Sequence, residues 1–151
     1  TGQHIVAAMA MGAVGVWVGT VWLVTKEGHT SAKLMPKLLA ANSDDTVITR
    51  SKRGKTNRQL RTAYTDEWEA ADAPEPLRMP YQDILVGDLL GAIDRYEVEP
   101  LLGSGLGQGI AWFKVETTVA EVMEKFVAEA RLSLDLLDTL RAASSEVPAA
   151  R

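Results

Sequence analysis

The sequence predicts an α/β fold, and the observations behind this lie at the beginning of the chain. Residues 3–13, QHIVAAMAMGA, place apolar side chains at helical spacing, and residues 14–18, VGVWV, are a short valine-rich run typical of a buried strand. A helix beside a fully apolar strand is the repeating unit of a parallel sheet covered by helices. Because one parallel strand needs neighbours, we expect the rest of its sheet on an upstream part of the polypeptide.

Most of the remaining sequence is predicted to be helical. Thr118 and Glu121 have the spacing of a capping box before the longest predicted helix. Asn57 is the expected cap of an earlier helix, and residues 73–80, APEPLRMP, are typical of a linker. Helices are expected over residues 30–42, 57–71, 81–94 and 118–142, and a short strand over 45–51. The apolar faces of the last two helices are expected to carry Ile84, Leu85, Leu89 and Ile93, and Val122, Phe126, Leu134 and Leu137.

The composition excludes several classes of site. The chain has 151 residues, a formal net charge of −4 and no cysteine, so disulfides, thiolate catalysis and cysteine metal sites are excluded. His4 and His29 have no carboxylates at metal-ligand spacing, so we expect no metal site. Residues 5–24 carry no charge, but three glycines interrupt them, and we expect no membrane span. The absence of cysteine fits a reducing compartment, and the expected location is the cytoplasm.

The predicted apolar strand ends in Gly19-Thr20, a pair suited to binding an anion. Gly19 allows close backbone approach because it lacks a Cβ, and Thr20 adds a hydroxyl donor beside free amides. Thr1-Gly2 has the same character, because it precedes a helix whose N-terminus favours phosphate. Two such pairs on successive strand–helix units predict a phosphate site. The alternative is that Gly15 and Gly19 only permit close helix packing.

Two further segments approach known phosphate motifs without satisfying them. RGKT at 53–56 resembles the end of a P-loop, but Thr49 stands where that motif requires glycine. GSGLGQG at 103–109 is not a dinucleotide fingerprint, because Gln108 stands where the third glycine is required. We expect a loop here, either an ordinary flexible one or a mobile segment near a site, with Gln108 as a neutral hydrogen-bonding group.

The segment 50–61 is strongly basic. It carries no acid and could be a solvated face, or a docking surface for the phosphates of a nucleotide or of coenzyme A. Nucleic-acid binding is less favoured, because no aromatic residues are interleaved with the cations. The six cations are Arg50, Lys52, Arg53, Lys55, Arg58 and Arg61.

Residues 1–27, TGQHIVAAMAMGAVGVWVGTVWLVTKE, closely resemble the last βα units of the nitronate monooxygenase (2-nitropropane dioxygenase) family. Thr1-Gly2 matches the end of the family's glycine-rich loop, and Gly12-Ala13 matches the end of the following helix. Residues 15–20 match its strand of the form Gly-Val-x-x-Gly-Thr. No catalytic residue is assigned on this chain, because the family's usual histidine belongs to an upstream strand.

Two later segments extend the resemblance. DTVITRSKRGKTNRQLR at 45–61 resembles the family's Thr-Arg segment and arginine-rich helix, and GSGLGQGIAW at 103–112 resembles its late Gly-Gln-Gly loop. Residues 72–100 show no such likeness. Neither His4 nor His29 matches the position of the catalytic histidine.

The resemblance implies a flavin mononucleotide (FMN) enzyme on a TIM barrel, of which this chain is the carboxyl-terminal portion. A TIM barrel typically needs about 250 residues, more than this chain has. The expected fold is therefore the last part of a (β/α)8 barrel with a mostly helical extension. We expect the last βα units at 1–44, a mostly helical inserted segment at 45–100, and the glycine-rich active-site loop with the C-terminal helix at 101–151.

The resemblance also implies the site residues. Gln108 is expected near the isoalloxazine or the substrate. The residues expected to hold the FMN phosphate are Thr1, Gly2, Val18, Gly19 and Thr20.

The expected activity is FMN-dependent oxidation of a small nitronate or nitroalkane with O2. The alternative within the family is a flavin-dependent enoyl- or acyl-thioester oxidoreductase that acts on coenzyme A esters, with NAD(P)H as reductant. The alternative of another class is a non-enzymatic basic adaptor that binds nucleic acid through 50–61. For the enzyme we expect a small-molecule substrate, the upstream polypeptide and a second copy of the chain as partners, and neither nucleic acid nor membrane.

Overall fold

The computed structural model describes residues 1–145, which fall into two compact units. Unit 1 comprises Thr1–Val18 and Thr117–Arg151, of which the last six residues lie outside the described range, and unit 2 comprises Gly19–Glu116. The division expected from the sequence, into 1–44, 45–100 and 101–151, differs from these two units and stays a prediction. The helices and strands are α1 (Gly2–Ala10), α2 (Leu34–Ala40), β1 (Thr46–Thr49), β2 (Asn57–Leu60), α3 (Ala63–Trp68), α4 (Tyr81–Arg95) and α5 (Val119–Ser145).

Unit 1 is built by the packing of α1 against α5. The approach is close at Gly2, where an added Cβ would collide with the backbone of Phe126 and Ala130, so this contact requires glycine. The predicted capping box is confirmed: Thr118 N donates to Glu121 Oε2 at 2.8 Å, and Glu121 N donates to Thr118 Oγ1 at 3.2 Å. These two reciprocal bonds explain where α5 begins.

The predicted apolar face of α5 is only partly buried. Val122 and Phe126 are buried, as predicted, whereas Leu134 and Leu137 are 52% and 50% exposed. The reason is that α1 has only nine residues and covers little more than the first part of a 27-residue helix.

The predicted buried strand at 14–18 is wrong for this chain by itself. Val14 and Trp17 are fully exposed, and within residues 1–145 the only strands are β1 and β2. A parallel strand forms only when neighbouring strands supply its hydrogen bonds. No strand of the described part pairs with 14–18, so the barrel portion is not confirmed.

The sheet of unit 2 is a two-stranded antiparallel pair. β1 confirms the strand predicted near 45–51, and its register with β2 places Thr46 opposite Leu60 and Thr49 opposite Asn57. The helix predicted over 57–71 is therefore wrong in its first part. Residues 57–60 are extended because they pair with β1, and the Leu60 N–H donates to Ser104 O at 2.9 Å on the other side.

The helix in this region starts later than predicted and has another cap. α3 begins after Thr62, whose N–H donates to Thr65 Oγ1 at 2.8 Å, while Thr65 N donates to Thr62 Oγ1 at 3.4 Å. Asn57 caps no helix and belongs to β2 instead. This reciprocal capping ends the strand pairing and turns the chain into α3.

The core of unit 2 joins its helices to its sheet and to the glycine-rich loop. A second, smaller apolar cluster lies between α3, α4 and the segment before that loop. The buried residues are Val24, Leu38, Ala41, Leu60, Leu106 and Ile110 in the first cluster, and Tyr64, Ile93 and Leu102 in the second.

α4 is confirmed as a helix, but it buries a different face from the predicted one. Ile84, Leu85 and Leu89 are 74%, 61% and 51% exposed, and only Ile93 of the predicted set is buried. The fully buried Gln82 explains the rotation, because its amide donates to Ser51 O at 2.6 Å and its oxygen accepts from the backbone N–H of Leu77 at 2.9 Å. A polar side chain with satisfied hydrogen bonds is thus directed inward.

Candidate functional site

The Gly19-Thr20 pair lies at the start of unit 2, where the chain enters a 3₁₀ helix, Thr20–Val24. Gly19 is exposed, and a Cβ built on it would meet nothing within 4 Å. The same is true of Gly15. No packing contact of the described residues therefore requires glycine at either position, and the space beside Gly19 is open to a ligand.

Thr20 is joined to the glycine-rich loop. Its Oγ1 accepts a hydrogen bond of 2.9 Å from the backbone N–H of Gly107. The hydroxyl still has its own hydrogen to donate to another acceptor. This bond brings together two segments that lie 87 residues apart in the sequence and that were both predicted to contribute to the site.

Gln108 directly follows the residue bound by Thr20. It starts a 3₁₀ helix, Gln108–Trp112, and its carbonyl accepts a hydrogen bond of 3.2 Å from Ser43 Oγ. Its side chain is exposed. The loop is thus fixed by its backbone at Gly107 and Gln108, while the side chain of Gln108 is accessible to solvent.

Thr1 and Gly2 form the N-terminus of α1 in unit 1. Thr1 Oγ1 accepts from His4 N at 3.4 Å and caps the helix. The Gly2 N–H donates to the Glu129 carboxylate at 2.7 Å. A negative group at a helix N-terminus is favoured by the helix dipole, and here a side chain of α5 supplies it. A phosphate bound at Gly2 would have to replace this carboxylate.

Glu129 was missed by sequence reasoning, although the sequence contains a signal for it. It lies three and seven residues after Phe126 and Val122, on the face of α5 that packs against α1. A carboxylate on a buried helical face needs a partner, which the backbone of Gly2 provides.

The five residues predicted to hold a phosphate are divided between the two units. Thr1, Gly2 and the half-buried Val18 belong to unit 1, whereas Gly19 and Thr20 belong to unit 2. The contacts of each group are described within its own unit, and a joint phosphate site stays a prediction.

The basic segment 50–61 does not form one continuous charged face. Arg53, Lys55 and Arg61 are exposed, and two of the six cations, Arg50 and Arg61, are paired with carboxylates, which reduces the charge available to nucleic acid. Arg50 pairs with Glu75 at 3.4 Å, Arg61 pairs with Asp66 at 3.1 Å, Arg58 donates to Thr46 Oγ1 at 2.8 Å, and Lys52 donates to Gly103 O at 3.4 Å.

The RGKT segment makes a tight turn rather than a phosphate loop. Gly54 has φ +69°, and a Cβ on it would lie 2.6 Å from Met79 N and collide with Leu77 O. Its N–H donates to Arg50 O at 2.8 Å. The glycine is required by the contact of this turn with the proline-rich linker.

Two further classes of feature are absent from the described part of the chain. Residues 1–145 contain no group of three or more histidine or acidic side chains arranged to hold a metal ion. No helix in this range combines the length and the apolar character needed to cross a bilayer.

Solved structures share the fold of this chain. The structure of nitroalkane oxidase from Streptomyces ansochromogenes matches with a TM-score of 0.76 and 24% identity, over 90% of this chain and 38% of that chain. FabK from Thermotoga maritima matches with a TM-score of 0.68 and 26% identity, over 92% of this chain and 44% of that chain. These matches support the α/β class.

Curated relatives carry related names. A protein of Mycobacterium tuberculosis, provisionally named a monooxygenase, is 55% identical over 58% of this chain and 23% of its own length. A Bacillus subtilis protein named a probable nitronate monooxygenase is 26% identical over 84% of this chain and 36% of its own length. The chain thus spans between about a quarter and somewhat over a third of these relatives.

The resemblance first seen at 1–27 extends over most of the chain. The sequence model of the nitronate monooxygenase family matches residues 1–129, including the segment 72–100 in which no likeness was expected. The matched range contains α1 to α4, both strands, the Gly19-Thr20 pair and the glycine-rich loop. From this match we conclude that the chain belongs to the nitronate monooxygenase family.

Proposed function

We propose that this chain is the carboxyl-terminal portion of an FMN-dependent TIM-barrel oxidoreductase that oxidises a small nitronate or nitroalkane with O2. The observation that carries the proposal is the 2.9 Å hydrogen bond from Gly107 N to Thr20 Oγ1. It joins the Gly-Thr end of the family's strand to the Gly-Gln-Gly loop. The remaining strands and the catalytic histidine would lie on the upstream polypeptide, and the location would be cytoplasmic.

The residues of unit 2 fit a phosphate group. Gly19 has open space where a Cβ would otherwise be, and the hydroxyl of Thr20 has a hydrogen available for a phosphate oxygen. Gly2 fits only if the Glu129 carboxylate leaves its N–H. We therefore assign the larger part of the phosphate binding to Gly19 and Thr20, and a smaller part to Thr1, Gly2 and Val18.

FMN, when bound, would supply the redox chemistry, and the protein would position it and shape the pocket. Thr20 would hold a phosphate oxygen while it keeps the loop in place through Gly107. Gln108 would then present a neutral amide beside the substrate. An amide N–H can donate to a nitronate oxygen without the cost of burying a charge, which suits a small anionic substrate.

A second candidate within the family is an oxidoreductase of coenzyme A thioesters. It is favoured by one observation: Arg53 and Lys55 are exposed on the turn between β1 and β2, next to Lys52. Arginine and lysine on a surface turn are suited to the phosphates of such a carrier.

Turnover by the full-length protein separates the two candidates. With a nitronate and O2 we expect oxidation that needs no NAD(P)H, and with an enoyl thioester and NAD(P)H under anaerobic conditions we expect no reduction. Thioester reduction without nitronate oxidation would replace the first candidate by the second.

Gln108→Ala should lower kcat/KM for the nitronate by about tenfold, the usual effect of one hydrogen bond to a charged group.

A further inference from the structure

A cavity of about 280 Å³ lies in unit 2, and neither Thr20 nor Gly107 lines it. One wall is the turn after β1, the other is α4, and Gly103 of the glycine-rich loop borders both. The floor is apolar and consists of Leu90, Ile93 and Leu101. This volume approaches the lower end of the range of small-molecule sites.

Charges of opposite sign line this cavity. Lys52 and Arg53 line it from the turn, and Asp83 and Asp94, which lie about 16 Å apart near the two ends of α4, line it from the helix. Among the ion pairs of residues 1–145, none includes any of these four side chains. Neither cation is thus within ion-pair distance of either carboxylate, and the cavity leaves space for a ligand between Lys52 and Asp94.

The half-buried Lys52 is in none of the ion pairs of residues 1–145, although Asp94 is near enough to act on its charge. Its Nζ donates a long hydrogen bond, 3.4 Å, to Gly103 O. Burial lowers the pKa of Lys52 below its ordinary value, Asp94 acts in the opposite direction, and the neighbouring Arg53 lowers it further. A carboxylate bound between Lys52 and Arg53 would supply a counter-charge in direct contact.

A simple anion does not match the whole cavity, because beside Lys52 it would also face the carboxylate of Asp94. A simple cation would face Lys52 and Arg53 in the same way. A zwitterion satisfies both walls, and the apolar floor requires in addition an aliphatic group.

We propose that this cavity binds a small zwitterion of the α-amino-acid class with a branched aliphatic side chain. Its carboxylate lies against Lys52 and Arg53. Its ammonium group lies against Asp94, the carboxylate nearer to Lys52. The side chain packs on the apolar floor. Such a site is separate from the flavin site proposed above and does not depend on it.

Calorimetric titration of the full-length protein tests the charge pattern. The probe is L-leucine, and the comparison ligands are 4-methylpentanoate, which lacks the amine, and 3-methylbutylamine, which lacks the carboxylate. We expect each comparison ligand to bind at least about tenfold more weakly than leucine, because each loses one charge-assisted contact. No binding of leucine at millimolar concentration, or equal binding of the carboxylate alone, overturns the proposal.

Two glycines of α4 provide a matched pair of variants that tests the location. A Cβ at Gly87 or at Gly91 meets nothing within 4 Å, so both positions accept a side chain without disturbing the helix. Only Gly87 lines the cavity. Gly87→Met should weaken leucine binding at least about tenfold by filling the cavity, and Gly91→Met should leave it unchanged. An equal effect of both variants contradicts the assignment, and the flavin content of both reports independently on the proposed function.

Discussion

Replacing Gly19 by leucine is expected to lower the affinity of the full-length protein for FMN by about 100-fold or more. The side chain would fill the open space beside Gly19 and exclude the phosphate, at the cost of about two charge-assisted hydrogen bonds. Gly19 has φ −121°, so its backbone conformation does not require glycine. The loss of FMN affinity would therefore come from exclusion of the phosphate and not from a disturbed backbone.

Riboflavin is the control for this experiment, because it has the isoalloxazine ring of FMN and no phosphate. Flavin fluorescence titration of Gly19→Leu should show that riboflavin affinity changes little while FMN affinity falls. Gly19→Ala should have an intermediate effect, since a methyl group fills less of the space. An equal loss for both flavins, or unchanged FMN affinity, would contradict a phosphate site at Gly19.

The same titration can be applied to Thr20. Thr20→Val keeps the shape of the side chain but removes both the acceptor for the Gly107 N–H and the donor to phosphate. We expect about tenfold weaker FMN binding for valine, while Thr20→Ser, which keeps the hydroxyl, stays close to the parent protein.

Gly54→Ala is expected to lower the free energy of unfolding of unit 2 by about 3 kcal/mol. The first contribution is the positive φ of +69°, which costs an L residue about 1 to 2 kcal/mol. The second is the collision of the new Cβ with the backbone of residues 77–79, for which overpacking costs of about 1 to 3 kcal/mol are typical. The backbone cannot swing aside as a flexible side chain could.

Urea unfolding of the full-length protein measures this effect, with Gly87→Ala as the matched control. Gly87 lies in α4 with nothing within 4 Å of an added Cβ, so alanine should stabilise the helix by about 0.5 to 1 kcal/mol. If Gly54→Ala lowers the free energy of unfolding by less than about 1 kcal/mol, the turn must relax to accept the methyl group. That result would contradict a rigid contact between the turn and the linker.

The helices could be predicted because their determinants are local. The periodicity of 3–13 and the capping box of Thr118 with Glu121 lie within a few residues of the helices that they define. The predicted helix start at residue 57 is wrong, because residues 57–60 pair with β1 on one side and with Ser104 on the other and are therefore extended. β1 ends eight residues before the segment and Ser104 lies 44 residues after Leu60, so neither contact is part of the local pattern.

The candidate site residues were also predicted from local patterns, and their role stays a prediction. Gly19 and Thr20 were chosen from their position after an apolar run, and Gln108 from the glycine-rich loop. The bond from Gly107 to Thr20 could not be predicted, since only the fold of unit 2 brings these residues together. The Glu129 contact with Gly2 depends in the same way on the packing of α5 against α1.

The most direct test of the proposed flavin enzyme is the flavin content of the purified full-length protein. The absorbance spectrum and the mass of the flavin released on denaturation should show about one FMN per polypeptide, the amount required if one site binds the cofactor tightly. A colourless protein that also fails to bind added FMN would contradict the account.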